Sequence, residues 1–522
     1  MSTKERRETT VVSAEQVVAE VSPRSLGGTS LFAAEEPITP ENVGEFRSDP
    51  RDIADASREL RRLGFDVLHE GETTISVSGP PKLFQDVFST RLRKEKQDAA
   101  AGLKVEFFTP TTEEPEQELF QAPENLTDLI EGVAIARPPE VFESPLPPLA
   151  PPDPAAYRYL FLPDELALVV RATRTHRLGT TGRNVLVGMI DTGHYGHPFF
   201  NYHGYRVLPT LLGPGTADPA SDTFGHGTGE SANIFAAAPD CRLLPIKGLM
   251  DPTGDFNVAL SSTPQPRVLT NSWGYDFDYP GAVLTPYMKT LEAAVANAIA
   301  SNIVVCFSAG NGQHGWPASM PGVIAVGGVH VDYPGLDLEA SSYASSFDSS
   351  LYPSRHVPDV CGITGRAVTI GGNDYAPSHM LPVQPGSSLD GILPSTGAAN
   401  DGWGLFSGTS AASPLVAGVI ALLLEKNPAR TPPEIKSILT MSAIDVTTGT
   451  TRTGDTAGPG WDAATGAGLV DAKWAWIITM GDVAAQFFEA PPELQAEMLQ
   501  NAQMPQITKE FAQDVIEILR SR

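Results

Sequence analysis

Asn184-Val185-Leu186-Val187-Gly188-Met189-Ile190 is an almost unbroken apolar run, and it ends on Asp191-Thr192-Gly193. A strand with one wet face alternates apolar and polar residues. A run without alternation marks a strand covered on both faces, as in a parallel sheet with helices above and below. The stretches 268–270, 303–307 and 323–326 have the same character, and helices are predicted over 291–301 and 414–424, between or after them. Residues 156–480 are therefore predicted to form an α/β domain, doubly wound around a mainly parallel sheet.

Outward from this domain, eight of the 17 residues 138–154 are proline. Such a segment cannot be helical, so 137–155 reads as an extended, semi-rigid linker. Upstream, 46–136 reads as a small α+β unit. Ile53, Ala56, Leu60 and Leu63 share one helix face, and Phe65-Asp66-Val67 and Ile75-Ser76-Val77 alternate as short strands around the Glu70-Gly71 turn. A second helix over 82–88, a third strand around 105–107 and a helix over 126–133 are predicted to follow. Residues 1–45 carry little periodicity and are predicted to be a flexible arm. Residues 481–522 are predicted to be a helical tail, from apolar positions such as Leu494, Met498, Phe511 and Leu519.

The chain has 522 residues, more than one ordinary core accommodates, and 36 basic against 62 acidic side chains, a net charge of −26. Nucleic acids and anionic membranes require a cationic face, so neither is an expected partner. Cys241, Cys306 and Cys361 are too few and too scattered for a disulfide framework or a zinc site, and they are expected to be buried structural thiols. No apolar segment follows the polar start MSTKERRETT, and the longest apolar stretch, 414–424, is about half a membrane span. The expectation is a soluble, cytoplasmic protein, with non-classical export left open.

Four short segments carry chemistry. Asp191 stands at the C-terminal end of a buried strand, the edge at which open α/β sheets form sites. Gly225-His226-Gly227-Thr228-Gly229 presents an unhindered histidine at a helix start, suited to moving a proton. Ser308-Ala309-Gly310-Asn311-Gly312 follows a strand and presents an amide donor, Asn311, of the kind that stabilises an oxyanion. Phe406-Ser407-Gly408-Thr409-Ser410-Ala411-Ala412-Ser413-Pro414 puts Ser410 at a helix N-terminus among small neighbours, where the dipole favours developing negative charge. Each fragment also has a plain structural role when read alone: a strand-end cap, a surface histidine, a turn asparagine and a Ser/Thr N-cap.

The acid, the histidine and the serine occur in the order Asp191, His226, Ser410, the order of the subtilisin triad and not of the chymotrypsin or α/β-hydrolase ones. On these motifs, residues 156–480 resemble the subtilisin-like serine peptidases. His197-Pro198, Ser272-Trp273-Gly274, Pro317-Ala318-Ser319, Pro358-Asp359-Val360 and Gly466-Ala467-Gly468-Leu469-Val470-Asp471 match the family in the same order. The resemblance implies that Ser410 is the nucleophile, His226 the general base, Asp191 its orienting acid and Asn311 the oxyanion donor. It also implies that Ser272, Trp273, Gly274 and Gly310 line the substrate cleft. The chain departs from the family pattern at Gly229, where a second histidine is usual, and at Trp273, where leucine is usual. Trp273 either narrows the upstream subsites or packs inside. About 40 residues between Gly362 and Trp403 look inserted.

The N-terminal unit is similar to pro-regions of subtilisins and of the related sedolisins, through Leu63-Gly64-Phe65, Ile75-Ser76-Val77-Ser78-Gly79 and Val87-Phe88-Ser89-Thr90. The expected protein is a serine endopeptidase acting on protein or peptide substrates and made as a zymogen, with its own pro-domain as intramolecular inhibitor. Removal of that unit is expected by a cut between 137 and 171, favouring 155–162. The chemistry requires no cofactor and no catalytic metal, and a structural calcium ion is left open. Two alternatives are a sedolisin-like acid peptidase, which uses carboxylates where this chain has His226 and Asn311, and a non-catalytic peptide-binding module on the same fold.

Overall fold

The computed structural model describes residues 10–13, 16–100, 103–111, 119–120, 122–123, 126–141, 160–277, 283–332, 337–370, 373–375, 378–390 and 402–489. Among these, the central sheet has nine strands. Its parallel core runs in the spatial order Arg242–Lys247, Leu186–Asp191, Val268–Asn271, Val304–Ser308, Ile324–Asp332. Val360–Ile363 adds in parallel to the last of these, and Asp337–Ala340 adds antiparallel. All six residues of Leu186–Asp191 are buried, which is why the run shows no alternation. From this strand the chain passes through the helix His226–Ala237 to one neighbour, then returns to the other neighbour on the opposite side. The reversal opens a crevice at the carboxyl end of Leu186–Asp191, where Asp191 sits.

The helices covering the sheet are built from small and aliphatic residues and are buried nearly all round. Thr409–Lys426 is long and apolar enough to cross a membrane, yet 89% of it is buried inside the protein, where Leu415, Val416, Val419 and Ile420 join the main core. Cys241, Cys306 and Cys361 are buried, free thiols.

The N-terminal unit is a five-stranded antiparallel sheet in the order Asp66–Glu70, Ile75–Gly79, Val17–Pro23, Ile130–Ile135, Leu119–Phe120. The helix Pro50–Leu63 starts with Asp49 accepting the Arg51 N–H at 2.8 Å and with proline in the first turn; it and Pro81–Phe88 supply Ala56, Leu60, Phe84 and Phe88 to the core. Two expectations are corrected here. Residues 17–45 are not a flexible arm: Val17–Pro23 is the middle strand of the sheet. The segment after it packs Leu31, Ile38, Val43 and Phe46 against Ala293 and Ala296 of the helix Pro286–Ala300. The stretch predicted as a helix over 126–133 turns instead into the strand Ile130–Ile135, because its backbone pairs with Val17–Pro23. Of the tail, the helix Ala472–Glu489 is described, and the apolar positions from Leu494 onward lie outside the described residues.

The contact between the N-terminal unit and the α/β domain is partly acidic. Glu20, in the middle strand, is fully buried and accepts the Ser76 hydroxyl at 2.6 Å. Asp251 lies against it, buried at the start of the helix Pro252–Ser261, and accepts the Tyr287 hydroxyl at 3.1 Å and the Gly254 N–H at 3.2 Å. Burial, and then Asp251 itself, holds the Glu20 carboxyl well above the usual range, and burial raises Asp251 as well, so the pair shares a proton. Burial also raises Asp255 next door and lowers His69, so this histidine supplies no compensating charge.

Glu20 therefore binds a proton in the folded chain that it has lost in the unfolded chain above about pH 4.3. Its contribution is fully present below that pH and is lost as pH rises toward the folded value, by up to about 1.4 kcal/mol per pH unit. The thermal midpoint of the wild type should fall on going from mildly acidic to neutral pH. Glu20→Gln should flatten that slope and melt higher at neutral pH; parallel profiles would contradict the assignment.

Candidate active site

The residues singled out in the sequence converge on the carboxyl edge of the central sheet. Asp191 ends its strand and His226 opens its helix. His226 Nδ1 lies 2.7 Å from Asp191 Oδ1, which also accepts the Thr192 N–H at 2.7 Å. Both side chains are essentially inaccessible, so the charge-assisted bond operates in a low dielectric. A hydrogen bond to a carboxylate places a proton on Nδ1 and leaves Nε2 as the basic nitrogen.

Asp222, which the sequence reading passed over, sets where that helix begins. Its carboxylate accepts from Gly225 N–H at 2.8 Å, Thr228 N–H at 2.8 Å, the Thr228 hydroxyl at 2.7 Å and the Thr192 hydroxyl at 2.8 Å. Thr192 in turn accepts the Gly227 N–H at 3.0 Å. One buried acid thus satisfies the orphan donors of the first turn and ties it to the Asp191 turn. Asp222→Ala should cost roughly 1–3 kcal/mol in denaturant titrations and lower turnover more than substrate affinity, since it displaces His226 and not the cleft edge. An acid four residues before a Gly-His-Gly helix start is the signal that would have found it.

Ser410 occupies the second position of Thr409–Lys426. Its Oγ lies 3.3 Å from the Ser272 carbonyl, and the Ser272 hydroxyl donates to the Ser410 carbonyl at 2.9 Å. Asn311 is oriented by Thr409, a second residue missed in the sequence. Asn311 Oδ1 accepts the Thr409 N–H at 2.9 Å and the Thr409 hydroxyl at 3.1 Å, which turns Nδ2 away from them, toward Gly408. A Cβ at Gly408 would stand 2.8 Å from that Nδ2, and its φ of +98° is a left-handed one, so only glycine serves there. Thr409 also accepts the Gly310 N–H at 3.1 Å, linking the Asn311 turn to the serine helix.

The departure at Gly229 has a steric cause. A Cβ there would lie 2.5 Å from the ring of Phe406, which stacks on His226 with centroids 6.1 Å apart and planes at 25°. Phe406 ends the strand Trp403–Phe406, paired with His379–Pro382 of the apparent insertion. The same segment braces the loop before His226, with Gln384 accepting the Asp222 N–H at 2.6 Å and Leu389 N–H donating to Phe224 O at 3.1 Å. The insertion therefore supports the histidine from two sides.

One further group crowds the imidazole, and another lies along the same helix. Glu230, one turn along the helix, is fully buried with Oε1 3.8 Å from His226 Nε2, and its Oε2 accepts from Asn233 at 2.7 Å. The i,i+4 spacing of His226 and Glu230 is the signal overlooked in the sequence. His194 lies beside the same helix, 3.1 Å from Ser231 Oγ; burial pushes it down to about 4, so it is uncharged at neutral pH.

At the cleft edge, the indole of Trp273 is completely buried, packs on Phe256 and Phe307, and donates to the Ile190 carbonyl at 2.9 Å. The side chain is packing, the second of the two alternatives left open by the sequence, and the Trp273 backbone forms the edge. On one side Tyr275 and Asp276 pair with Gly315–Trp316. On the other, Trp273 and Gly274 pair antiparallel with Val141 and Glu140 of the chain's own N-terminal region.

This arrangement can be set beside known proteins. Fervidolysin of Fervidobacterium pennivorans is 28% identical over 320 residues, 56% of this chain and 40% of that protein. Subtilisin E of Bacillus subtilis is 27% identical over 292 residues, 52% of this chain and 64% of that protein. The chain thus spans less than two thirds of the length of either relative. The crystal structure of fervidolysin, described as a keratinolytic enzyme related to subtilisin, matches with a TM-score of 0.53 over 90% of this chain and 63% of that one, at 19% identity, which shows a shared fold. The model of the subtilase family matches residues 182–468, more than half of the chain and the whole stretch from before Asp191 to beyond Ser410, and the chain belongs to the subtilase family.

Proposed function

We propose that the chain is a serine endopeptidase in which Asp191, His226 and Ser410 form the catalytic triad. The observation that carries this reading is the buried 2.7 Å bond from His226 to Asp191 at the same sheet edge as Ser410 and the Thr409-oriented Asn311. In this mechanism Ser410 Oγ attacks a peptide carbonyl while His226 Nε2 takes its proton, later giving it to the leaving amine. The imidazolium so formed has Asp191 on one nitrogen and Glu230 near the other. The Asn311 Nδ2 and the Ser410 backbone N–H receive the oxyanion, and the dipole of the serine helix adds to them. No cofactor takes part.

Extended substrate adds as a strand to Ser272-Trp273-Gly274, an edge that recognises backbone along its length and suits an endopeptidase. That edge is held by Glu140–Val141, which supports a zymogen blocked by its own N-terminal unit. The carboxylate-based acid mechanism is disfavoured by the identities of His226 and Asn311. Hydrolysis of casein and chromogenic peptides, followed from acidic to alkaline pH, tests the reading. Activity should be present at neutral pH and disappear in acid as His226 is protonated. An acidic optimum would contradict it, and no hydrolysis at any pH would leave a peptide-binding module.

A further inference from the structure

We propose that Glu230 is a positioning residue for His226: a buried carboxylate beside Nε2 that stabilises the imidazolium from the side opposite Asp191 and raises the pH at which activity appears. The proposal deepens the serine-peptidase reading and rests on it. His226, Glu230 and Asn233 stand at i, i+4 and i+7 of the helix His226–Ala237, so they share one face, and all three side chains are buried. Asn233 Nδ2 donates to Glu230 Oε2 at 2.7 Å, which leaves Oε1 as the oxygen turned to the imidazole, 3.8 Å from Nε2.

That distance decides the role. At 3.8 Å the carboxylate is beyond hydrogen-bond range of Nε2, so it does not take the place that the Ser410 hydroxyl needs. Coulomb attraction falls only with the inverse of distance, and between two side chains closed to water it is still strong. Asp191 acts differently: at 2.7 Å from Nδ1 it fixes the tautomer and the ring orientation. When Ser410 Oγ attacks, its proton passes to Nε2 and stays on the imidazole until the leaving amine takes it. Glu230 neither gains nor loses a proton in this step. Its negative charge favours the imidazolium, which makes Nε2 a stronger base.

The other titratable groups packed around this helix do not supply the effect. Asp222, before the helix, commits its carboxylate to the Gly225 and Thr228 N–H groups and to two hydroxyls, and Lys247 faces it. His194, after Asp191, is pushed by burial down to about 4 and is uncharged. On the strand His379–Pro382, Leu381 lies against Gly229 and His379 shares its side. Burial pushes His379 down to about 3, so it too is uncharged. Asp164 of the helix Asp164–Val169 lies toward the far end, beside Tyr205, which stacks on Phe235. The helix carrying Ser410 has no acid or base before Glu425, and Phe406 covers the face of the imidazole. The charge that meets the proton arriving at Nε2 is therefore that of Glu230.

Full-length wild type, Glu230→Gln and Glu230→Asp, followed from acidic to alkaline pH by the rate of fluorophosphonate labelling of Ser410 and by hydrolysis of a chromogenic peptide, test this. Glutamine matches glutamate in shape and keeps an oxygen for Asn233, so its melting should match the wild type. The acid limb of the wild type should lie above about pH 6.5, the ordinary histidine value. In Glu230→Gln it should move down by about one pH unit or more, while kcat on the alkaline plateau falls about three- to tenfold with KM little changed. Glu230→Asp keeps the charge but holds it farther off, so its limb should fall between the two; if the glutamine chain does not fold, a limb below that of wild type in Glu230→Asp decides alone. The His226 Nδ1–H resonance, titrated by NMR in Ser410→Ala with and without Glu230→Gln, should show the same downward move. Limbs and resonances that titrate alike in all forms, or a loss of rate in Glu230→Gln that is equal at every pH, would overturn the assignment and leave the peptidase reading standing. A wild type that takes no label on Ser410 at any pH would instead remove the peptidase reading on which it rests.

Discussion

Ser410→Ala should abolish peptide hydrolysis, by roughly a millionfold in kcat, the loss measured when the nucleophile of subtilisin, a relative of this chain, is removed. The size follows from how the group acts. His226 and Asp191 have nothing to activate once the hydroxyl is gone, so the whole triad contribution is lost with one atom. The fold should survive, because Ser410 is buried on a turn among Thr409, Ala411 and Ala412, and deleting its oxygen leaves little space, with the 3.3 Å contact with the Ser272 carbonyl among what is lost. Circular dichroism and melting should match the wild type while casein and chromogenic peptides remain uncut. A variant that hydrolyses them at the wild-type rate would remove Ser410 from the mechanism.

Asn311 offers the second large effect and a cleaner dissection. Its two ends do different work: Oδ1 accepts two bonds from Thr409, and Nδ2 is the donor aimed by that constraint. Asn311→Ala should lower kcat by roughly 100- to 1000-fold, the range found for a single oxyanion donor in subtilisin, with little change in KM, because the donor acts on charge that develops only in the transition state. It should also cost roughly 1–3 kcal/mol of stability, since the buried Thr409 N–H loses its acceptor. Asn311→Asp separates the two roles. It keeps an acceptor for Thr409 and so preserves stability, yet it loses the amide donor and places negative charge where negative charge must form. Steady-state kinetics beside denaturant melts should therefore show Asn311→Asp well folded and poorly active. A variant with wild-type turnover would mean that Asn311 only builds the turn.

The parts of this molecule that are legible in its sequence are those whose physics is local. Strands buried on both faces betray themselves without knowledge of their neighbours, so the doubly wound sheet is readable from runs such as 184–190, and the site motifs are readable because each sits at a strand end or helix start. What the sequence conceals depends on distant partners. Val17–Pro23 looks shapeless because Glu20 interrupts its apolar pattern, and the reason an acid is tolerated there, Asp251 and Ser76, lies 231 and 56 residues away. In 126–133, Leu126, Ile130 and Val133 satisfy a helical spacing; only pairing with the strand Val17–Pro23 makes Ile130–Ile135 extended. Trp273 is undecided by sequence because both a subsite wall and a core indole suit the residue, and Ile190 O settles it. Thr409 does nothing detectable until the turn carrying Asn311 meets the helix carrying Ser410, whereas Asp222 and Glu230 show only as acids spaced four residues on either side of His226.

The central claim is that Ser410 is a nucleophile activated by His226 near neutral pH. Peptide mapping by mass spectrometry of the protein treated with a fluorophosphonate measures this directly, because the reagent phosphonylates only a serine whose hydroxyl is activated by a base. The account requires a single adduct on Ser410, formed rapidly at neutral pH, suppressed in acid and lost in His226→Ala. An adduct on a different serine, no adduct at all, or labelling of Ser410 that proceeds equally well without His226 would contradict it.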